Sequence, residues 1–185
     1  MRGVQENILA DLRLSMRPGL REDAASLHAL IRGILESYGL PPDREDMDAD
    51  MDDVETFYHA HGGLFMVLED FNGALVGSCG VLPRSHERCE LRKLYLVHTF
   101  RGYGLGKLLL RSAMDWARNR GFLEMELHTA ARLKEAVGLY RQFGFERSGL
   151  KGATDCCELY FQCKLAPVSG DEPGKARSAE AKSLR

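Results

Sequence analysis

Seven short segments of the chain alternate between apolar and polar residues or are mainly apolar, and this pattern predicts seven β-strands. Two of these segments flank Asn72-Gly73, a dipeptide that favours the tight turn of a β-hairpin, so we expect them to pair with each other. In chain order the predicted strands cover residues 12–16, 64–69, 74–82, 89–97, 122–127, 145–148 and 156–164.

Three other segments carry apolar residues every three or four positions, which is the spacing of one face of an α-helix. They predict helices over residues 27–38, 105–117 and 133–143, and a short helix is also expected at 52–60. The elements follow one another as strand, two helices, three strands, helix, strand, helix and two strands. This order predicts an α/β fold whose first half is antiparallel.

The composition limits the class of protein. With 185 residues, of which 44% are hydrophobic and 28% charged, the chain is expected to form one soluble domain with a single core. Its net charge of −2 gives no reason to expect nucleic acid or an anionic membrane as a partner. The five cysteines include no C-x-x-C pair, and their odd number leaves at least one thiol unpaired, so we predict a reducing, cytoplasmic location.

The two ends of the chain differ from the part between them. Residues 1–10 lack the long apolar stretch of a secretory signal and are predicted to be a flexible leader. Residues 166–185 are rich in Pro, Gly, Ser and Ala with mixed charges, which predicts a disordered tail. One domain is therefore expected over residues 11–165. No stretch approaches the roughly 20 apolar residues of a membrane span, so no membrane partner is expected.

The most specific stretch is Arg101-Gly102-Tyr103-Gly104-Leu105-Gly106-Lys107, which lies between the predicted strand 89–97 and the predicted helix 105–117. Its glycines allow a turn whose backbone N–H groups converge, and the N-terminus of the next helix adds unpaired donors and a positive dipole end. Such a turn is suited to phosphate. The dinucleotide motif G-x-G-x-x-G is not met, because Lys107 stands at the third glycine; nor is the P-loop, because Leu108 stands at its hydroxyl position.

The loop resembles the acyl-CoA pyrophosphate loop of the GNAT superfamily of N-acetyltransferases, whose motif Q/R-x-x-G-x-G/A is met by Arg101, Gly104 and Gly106. Residues 90–96 look like the central strand of that family, and residues 136–145 look like its A-x-x-L-Y-x-x-x-G-F signature. The resemblance implies a GNAT-like fold of the α/β (α+β) class. Such a fold is a mixed, largely antiparallel twisted sheet of about seven strands, with four flanking helices and a splayed central strand pair.

The resemblance also implies acetyl-CoA as co-substrate. Its pantetheine arm would pair with the backbone of the central strand, and its two linked phosphates would lie on the glycine loop. Many relatives carry an asparagine that contacts the cofactor at a position where this chain has Leu133. The implied cofactor-binding residues are Leu94, Tyr95, Leu96, Arg101, Gly102, Tyr103, Gly104, Leu105, Gly106 and Lys107.

Acetyl transfer to an amine requires a neutral nucleophile, a polarised carbonyl and a proton for the departing thiolate. A lysine-like amine has a pKa near 10.4, so deprotonation at pH 7 costs about 3.4 pH units, or about 4.6 kcal/mol, and a base or water relay is needed. The resemblance implies Glu90 as that base and Tyr140 as the general acid. Tyr140 also falls on the apolar stripe of its helix, where it would alternatively be a core residue.

The assignment of the base has alternatives. Glu90 would otherwise be a surface carboxylate paired with Arg92 or Arg88. His98 and His128 are at the ends of the two strands that would flank the cleft, and either is an alternative base, because histidine takes up a proton near neutral pH.

The sequence thus predicts an enzyme that transfers an acetyl group from acetyl-CoA to a primary amine of a small molecule, peptide or protein by direct attack in a ternary complex. The enzyme is expected to act as a monomer or homodimer. One alternative is a non-catalytic acyl-CoA-binding regulator of the same fold. Another is an interaction module whose acidic segment, residues 41–55, holds a basic partner. No metal is expected, because His59 and His61 lack further ligands at metal-like spacing.

Overall fold

The computed structural model describes residues 8–41, 49–149 and 158–166. Its strands are β1 (Leu14–Pro18), β2 (Leu64–Asp70), β3 (Leu75–Pro83), β4 (Arg88–Leu96), β5 (Glu124–Thr129), β6 (Glu146–Arg147) and β7 (Leu159–Lys164). They form one seven-stranded sheet in the order β1-β2-β3-β4-β5-β7-β6. The predicted number and order of strands are confirmed, although β1 and β5 each begin two residues later than the sequence pattern suggests.

Three longer helices pack on the sheet: α1 (Ala24–Ser37), α2 (Leu105–Asn119) and α3 (Lys134–Gln142). Each is followed by a glycine at positive φ, +63° at Gly39, +84° at Gly121 and +83° at Gly144, which explains where the helices end. The helix predicted for residues 52–60 is only a single π-helical turn, Glu55–His59. Among the described residues, none of the helices has both the length and the apolar character needed to cross a bilayer.

Neighbouring strands in this sheet pair antiparallel, except for β4 and β5, which are parallel. The predicted hairpin joins β2 and β3. Gly73 takes a φ of +83° in its turn, and the Asp70 carboxylate accepts hydrogen bonds from the backbone N–H groups of Asn72 and Ala74, both at 2.9 Å. The parallel pair requires a crossover connection, which α2 provides.

Two hydrophobic cores lie on opposite faces of the sheet. The larger core holds α2 and α3 against the central strands and includes Leu91, Leu127 and Phe161. The smaller core holds α1 against the other face and includes Leu27 and Leu82. Because successive residues of a strand point to opposite faces, Glu90 and Leu91 face different cores.

The central parallel pair is short. β4 and β5 pair over residues 88–91 and 124–127 and then separate. A β-bulge follows in β4, where the register with β3 shifts and Lys93 takes a φ of +53°. Since a bulge bends and twists its strand, we attribute the gap between β4 and β5 to it. The splayed central pair that the resemblance implies is therefore present.

Lys93 is held in this unusual backbone conformation by buried contacts. Its ammonium lies 3.2 Å from Oδ1 of Asp50, a residue that is 2% exposed, and its backbone oxygen accepts a hydrogen bond from the Ser78 hydroxyl at 2.8 Å. A non-glycine residue at positive φ costs about 1–3 kcal/mol and persists only where its surroundings fix it. The turn that carries Asp50 thus supports the bulge that opens the sheet.

The start of the described chain packs against the larger core. Residues 8–11 form a helical turn, in which the N–H of Leu12 donates to the oxygen of Ile8 at 3.2 Å, and Ile8 and Leu9 pack against the larger core. Residues 8–10 of the predicted leader, residues 1–10, thus belong to a turn that contacts the domain. Residues 1–7, residues 42–48 of the acidic segment and residues 167–185 of the predicted tail lie outside the described part.

Candidate active site

The gap between β4 and β5 opens into a cleft with about 590 Å³ of free space, part of it open to solvent. The end of β4 and the start of α2 form its floor, and side chains of α1 and α3 form its walls. Its lining consists of Ile34, Tyr38, Leu94, Tyr95, Leu96, Arg101, Gly106, Leu133, Glu135, Ala136 and Leu139. Half of the ten predicted cofactor-binding residues thus meet in one cleft, and Leu133 makes its wall apolar.

The remaining predicted cofactor residues belong to the loop at one end of this cleft. Gly102 and Gly104 have φ values of +86° and +87°, a conformation that favours glycine. Leu105 begins α2, whose first N–H groups have no partner within the helix. Leu105 is fully buried, whereas Tyr103 and Lys107 are exposed. Two glycines at positive φ and the N-terminus of α2 thus lie at this end of the cleft.

The Arg101 side chain turns into the cleft. Its Nε and Nη2 each donate to the backbone oxygen of Leu96 at 3.1 Å, and its Nη1 donates to the hydroxyl of Tyr38. That hydroxyl in turn donates to Oε2 of Glu135 at 2.8 Å. The guanidinium carbon also lies 5.3 Å from the centre of the Tyr38 ring. The sequence predicted Arg101 but missed Tyr38 and Glu135, both of which are distant from it in the chain.

Glu90 lies where β4 and β5 begin to separate, on the face that carries the smaller core. It is 8% exposed, and its Oε1 is 3.4 Å from Nδ1 of His128. Its Oε2 is 3.5 Å from Nε of Arg84, whereas the sequence suggested Arg92 or Arg88 as the partner. The structure therefore brings together two of the predicted candidate bases, Glu90 and His128.

More polar residues surround this pair. Glu126 is the register partner of Glu90 on β5, and its Oε2 accepts a hydrogen bond from the Tyr160 hydroxyl at 2.8 Å. The Tyr160 ring lies 4.9 Å from that of His128. Burial, and then the hydrogen bond to Glu126, raise the pKa of Tyr160 to about 12, so this phenol stays neutral at pH 7. In the tautomer whose Nδ1–H faces Glu90, the Nε2 of His128 would be the proton acceptor.

Tyr140 lies on α3 and belongs to the larger core. It is 5% exposed, and its ring centre lies 5.8 Å from that of Phe145 and 6.4 Å from that of Phe161. Its neighbour Leu139 lines the cleft. Tyr140 and Glu90 thus lie on opposite faces of the sheet, and neither is among the residues that line the cleft.

The other histidines lie elsewhere. His98 is exposed in a 3₁₀ turn after β4, so the structure does not place it with Glu90. The Nδ1 of His61 is 2.9 Å from the backbone oxygen of Thr56. Across the described ranges, no three His, Cys, Asp or Glu side chains are grouped as metal ligands.

Known proteins are similar to this chain in sequence. Residues 27–145 match the sequence profile described as the acetyltransferase (GNAT) family. An Escherichia coli (strain K12) protein named uncharacterized N-acetyltransferase YjgM is 36% identical over 150 residues, which cover 76% of this chain and 89% of that protein.

Solved structures share its fold. A GNAT-family acetyltransferase from Staphylococcus aureus Mu50 superposes with a TM-score of 0.76 at 20% identity, covering 83% of this chain and 99% of that one. A GNAT-superfamily phosphinothricin acetyltransferase from Sinorhizobium meliloti, solved in complex with AcCoA, gives a TM-score of 0.64 at 21% identity, covering 87% of this chain and 96% of that one.

Proposed function

Since this chain belongs to the acetyltransferase (GNAT) family, we propose that it transfers an acetyl group from acetyl-CoA to a primary amine of a small molecule or peptide by direct attack in a ternary complex. Membership in the family makes the protein an N-acetyltransferase. The observation that carries the rest is the cleft itself, which lies between the glycine loop and the unpaired end of β4. Glu90 and His128 lie farther back along the sheet, where β4 and β5 begin to separate.

The cleft fits a long cofactor with phosphates at one end. Residues 94–96 lie on the part of β4 that β5 leaves unpaired, so their backbone groups would pair with the amides of a pantetheine arm as another strand would. Gly102, Gly104 and the first N–H groups of α2 would hold the linked phosphates. Acetyl-CoA supplies an acyl thioester, which this arrangement would hold in the gap.

In the proposed reaction, protons are transferred by residues on both faces of the sheet. Glu90 and His128 act as one proton-accepting pair that takes a proton from the attacking amine. The amine nitrogen forms a bond to the thioester carbon, and the carbon–sulfur bond breaks. Tyr140 then donates its proton to the departing sulfur, so the products are an amide and the free thiol of CoA.

The role of Tyr140 can be separated from its packing. Tyr140→Phe keeps the ring against Phe145 and Phe161, so we expect the free energy of unfolding to fall by no more than one hydrogen bond contributes, about 0.5–1.5 kcal/mol. It removes the proposed proton donor, and kcat should fall about tenfold, since water is a poorer donor at the same place. Steady-state kinetics and thermal unfolding test both expectations. A variant with wild-type kcat would make Tyr140 a core residue only.

Binding and transfer must be measured separately. We expect isothermal calorimetry to detect one CoA site per chain, and mass spectrometry to detect acetylation of at least one member of an amine panel of polyamines, amino acids, amine antibiotics and peptides. Absence of heat with CoA would overturn the proposal. CoA binding without any acetylated product or acetyl-CoA hydrolysis would favour the non-catalytic regulator. Salt-sensitive protein binding without CoA would favour the interaction module.

A further inference from the structure

Three residues join the two faces of the sheet across the end of the cleft. α1 packs on the face of the smaller core and α3 on the face of the larger core, so contacts between them must span the gap beyond β4. The Tyr38 hydroxyl, just after α1, donates to Glu135 in the first turn of α3 at 2.8 Å, and Arg101 donates to that hydroxyl. A second hydrogen bond joins the same two segments: Nη1 of Arg132, just before α3, donates to the oxygen of Gly39, just after α1, at 2.9 Å.

Arg101 also occupies a backbone group that the cofactor would use. A carbonyl oxygen has two lone pairs, and that of Leu96 accepts from both Nε and Nη2 of Arg101 at 3.1 Å each. Leu96 lies in the part of β4 that has no strand partner on the side of β5. While Arg101 holds this oxygen, the carbonyl of Leu96 has no lone pair left for an incoming amide.

We propose that Tyr38, Arg101 and Glu135 form a latch over the cofactor cleft, which must open before the pantetheine arm can pair with β4. This inference rests on the proposed function, because it assumes that the cleft binds CoA. The latch slows the entry of the cofactor, because Arg101 must release the Leu96 oxygen before the arm can pair with it.

Glu135 and Tyr38 have the protonation states that their hydrogen bond requires. The backbone N–H of Glu135 and then the Tyr38 hydroxyl lower the pKa of the Glu135 carboxyl, so it is ionised at neutral pH. Burial, and then the hydrogen bond to Glu135, raise the pKa of Tyr38, so its hydroxyl keeps the proton that it donates. The Tyr38–Glu135 hydrogen bond therefore joins a neutral phenol to an ionised carboxylate.

Rates of cofactor exchange test the latch. Tyr38→Phe keeps the ring beside Arg101 and removes only the hydroxyl. We expect the association rate constant of 1,N6-etheno-CoA, measured by stopped-flow fluorescence, to rise about fivefold, the effect of one lost hydrogen bond. The dissociation rate constant, measured by displacement with excess CoA, should stay within about twofold, so Kd should fall about fivefold. Glu135→Gln should act in the same direction, and Glu36→Gln on the exposed surface of α1 is the control.

The outcomes separate three situations. If Tyr38 merely supported the wall of the cleft, its loss would slow association while it speeded dissociation, and the latch would be refuted. Wild-type rates in both Tyr38→Phe and Glu135→Gln would also refute it and leave the proposed function intact. A wild-type protein that binds neither etheno-CoA nor CoA would remove the proposed function and the latch together.

Discussion

Glu90→Gln should lower kcat by about 100-fold while the Kd for CoA stays within about twofold. A positioned general base contributes typically about 100- to 10,000-fold, and the glutamine amide cannot accept the proton of the amine. The exchange keeps the shape of the side chain, and the one remaining carbonyl oxygen can still accept from either His128 or Arg84, which lie 3.4 and 3.5 Å away. Steady-state kinetics with an identified acceptor, together with calorimetry with CoA, would measure the two effects separately.

Two further variants make this result specific. Glu124→Gln is the control, because Glu124 lies on the same face of β5, two residues before Glu126, and at the end of the pairing farthest from the gap. His128→Asn tests whether the pair acts as a unit: the double variant should then be no slower than either single one. If Glu90→Gln kept wild-type kcat and His128→Asn alone lost activity, the base would be His128 and the role of Glu90 would be refuted.

Local patterns in the sequence were enough to predict much of the fold. The β2–β3 hairpin follows from Asn72-Gly73, and Gly39, Gly121 and Gly144 mark the ends of three helices, because each takes a positive φ. Such features depend on a few neighbouring residues whose backbone preferences are strong. The glycine loop was found for the same reason, and Gly102 and Gly104 have the positive φ values that a converging turn requires.

Contacts between distant residues could not be predicted. Tyr38 is 63 residues from Arg101 and 97 from Glu135, and neither spacing leaves a pattern in the sequence. The bulge at Lys93 is another case, because a lysine rarely takes positive φ and this one is held by contacts with Asp50, 3.2 Å away, and with Ser78. At these points of the site, contacts between residues distant in sequence determine the structure, and the backbone preferences of neighbouring residues do not.

The second large effect should come from the loop. Gly104→Ala should raise the Kd for CoA about 30-fold. Gly104 has a φ of +87°, and an alanine there costs about 1–2 kcal/mol or turns the backbone away from this conformation. If the backbone of the loop leaves this conformation, the N–H groups before α2 are no longer directed at the phosphates. A loss of about 2 kcal/mol in binding free energy raises Kd about 30-fold. A new Cβ would meet only Cδ1 of Ile8 at 4.0 Å, so a steric clash is not the cause.

Gly121→Ala separates binding from backbone strain. Gly121 has a φ of +84°, and a Cβ there would meet nothing within 4 Å, but it lies at the opposite end of α2 from the loop. Both variants should therefore lose a similar free energy of unfolding, measured by urea denaturation, and only Gly104→Ala should lose CoA affinity. Equal CoA affinity in the two variants would mean that the loop does not bind the phosphates. The backbone strain at Gly104 would then affect CoA binding no more than the same strain at Gly121, which lies far from the loop.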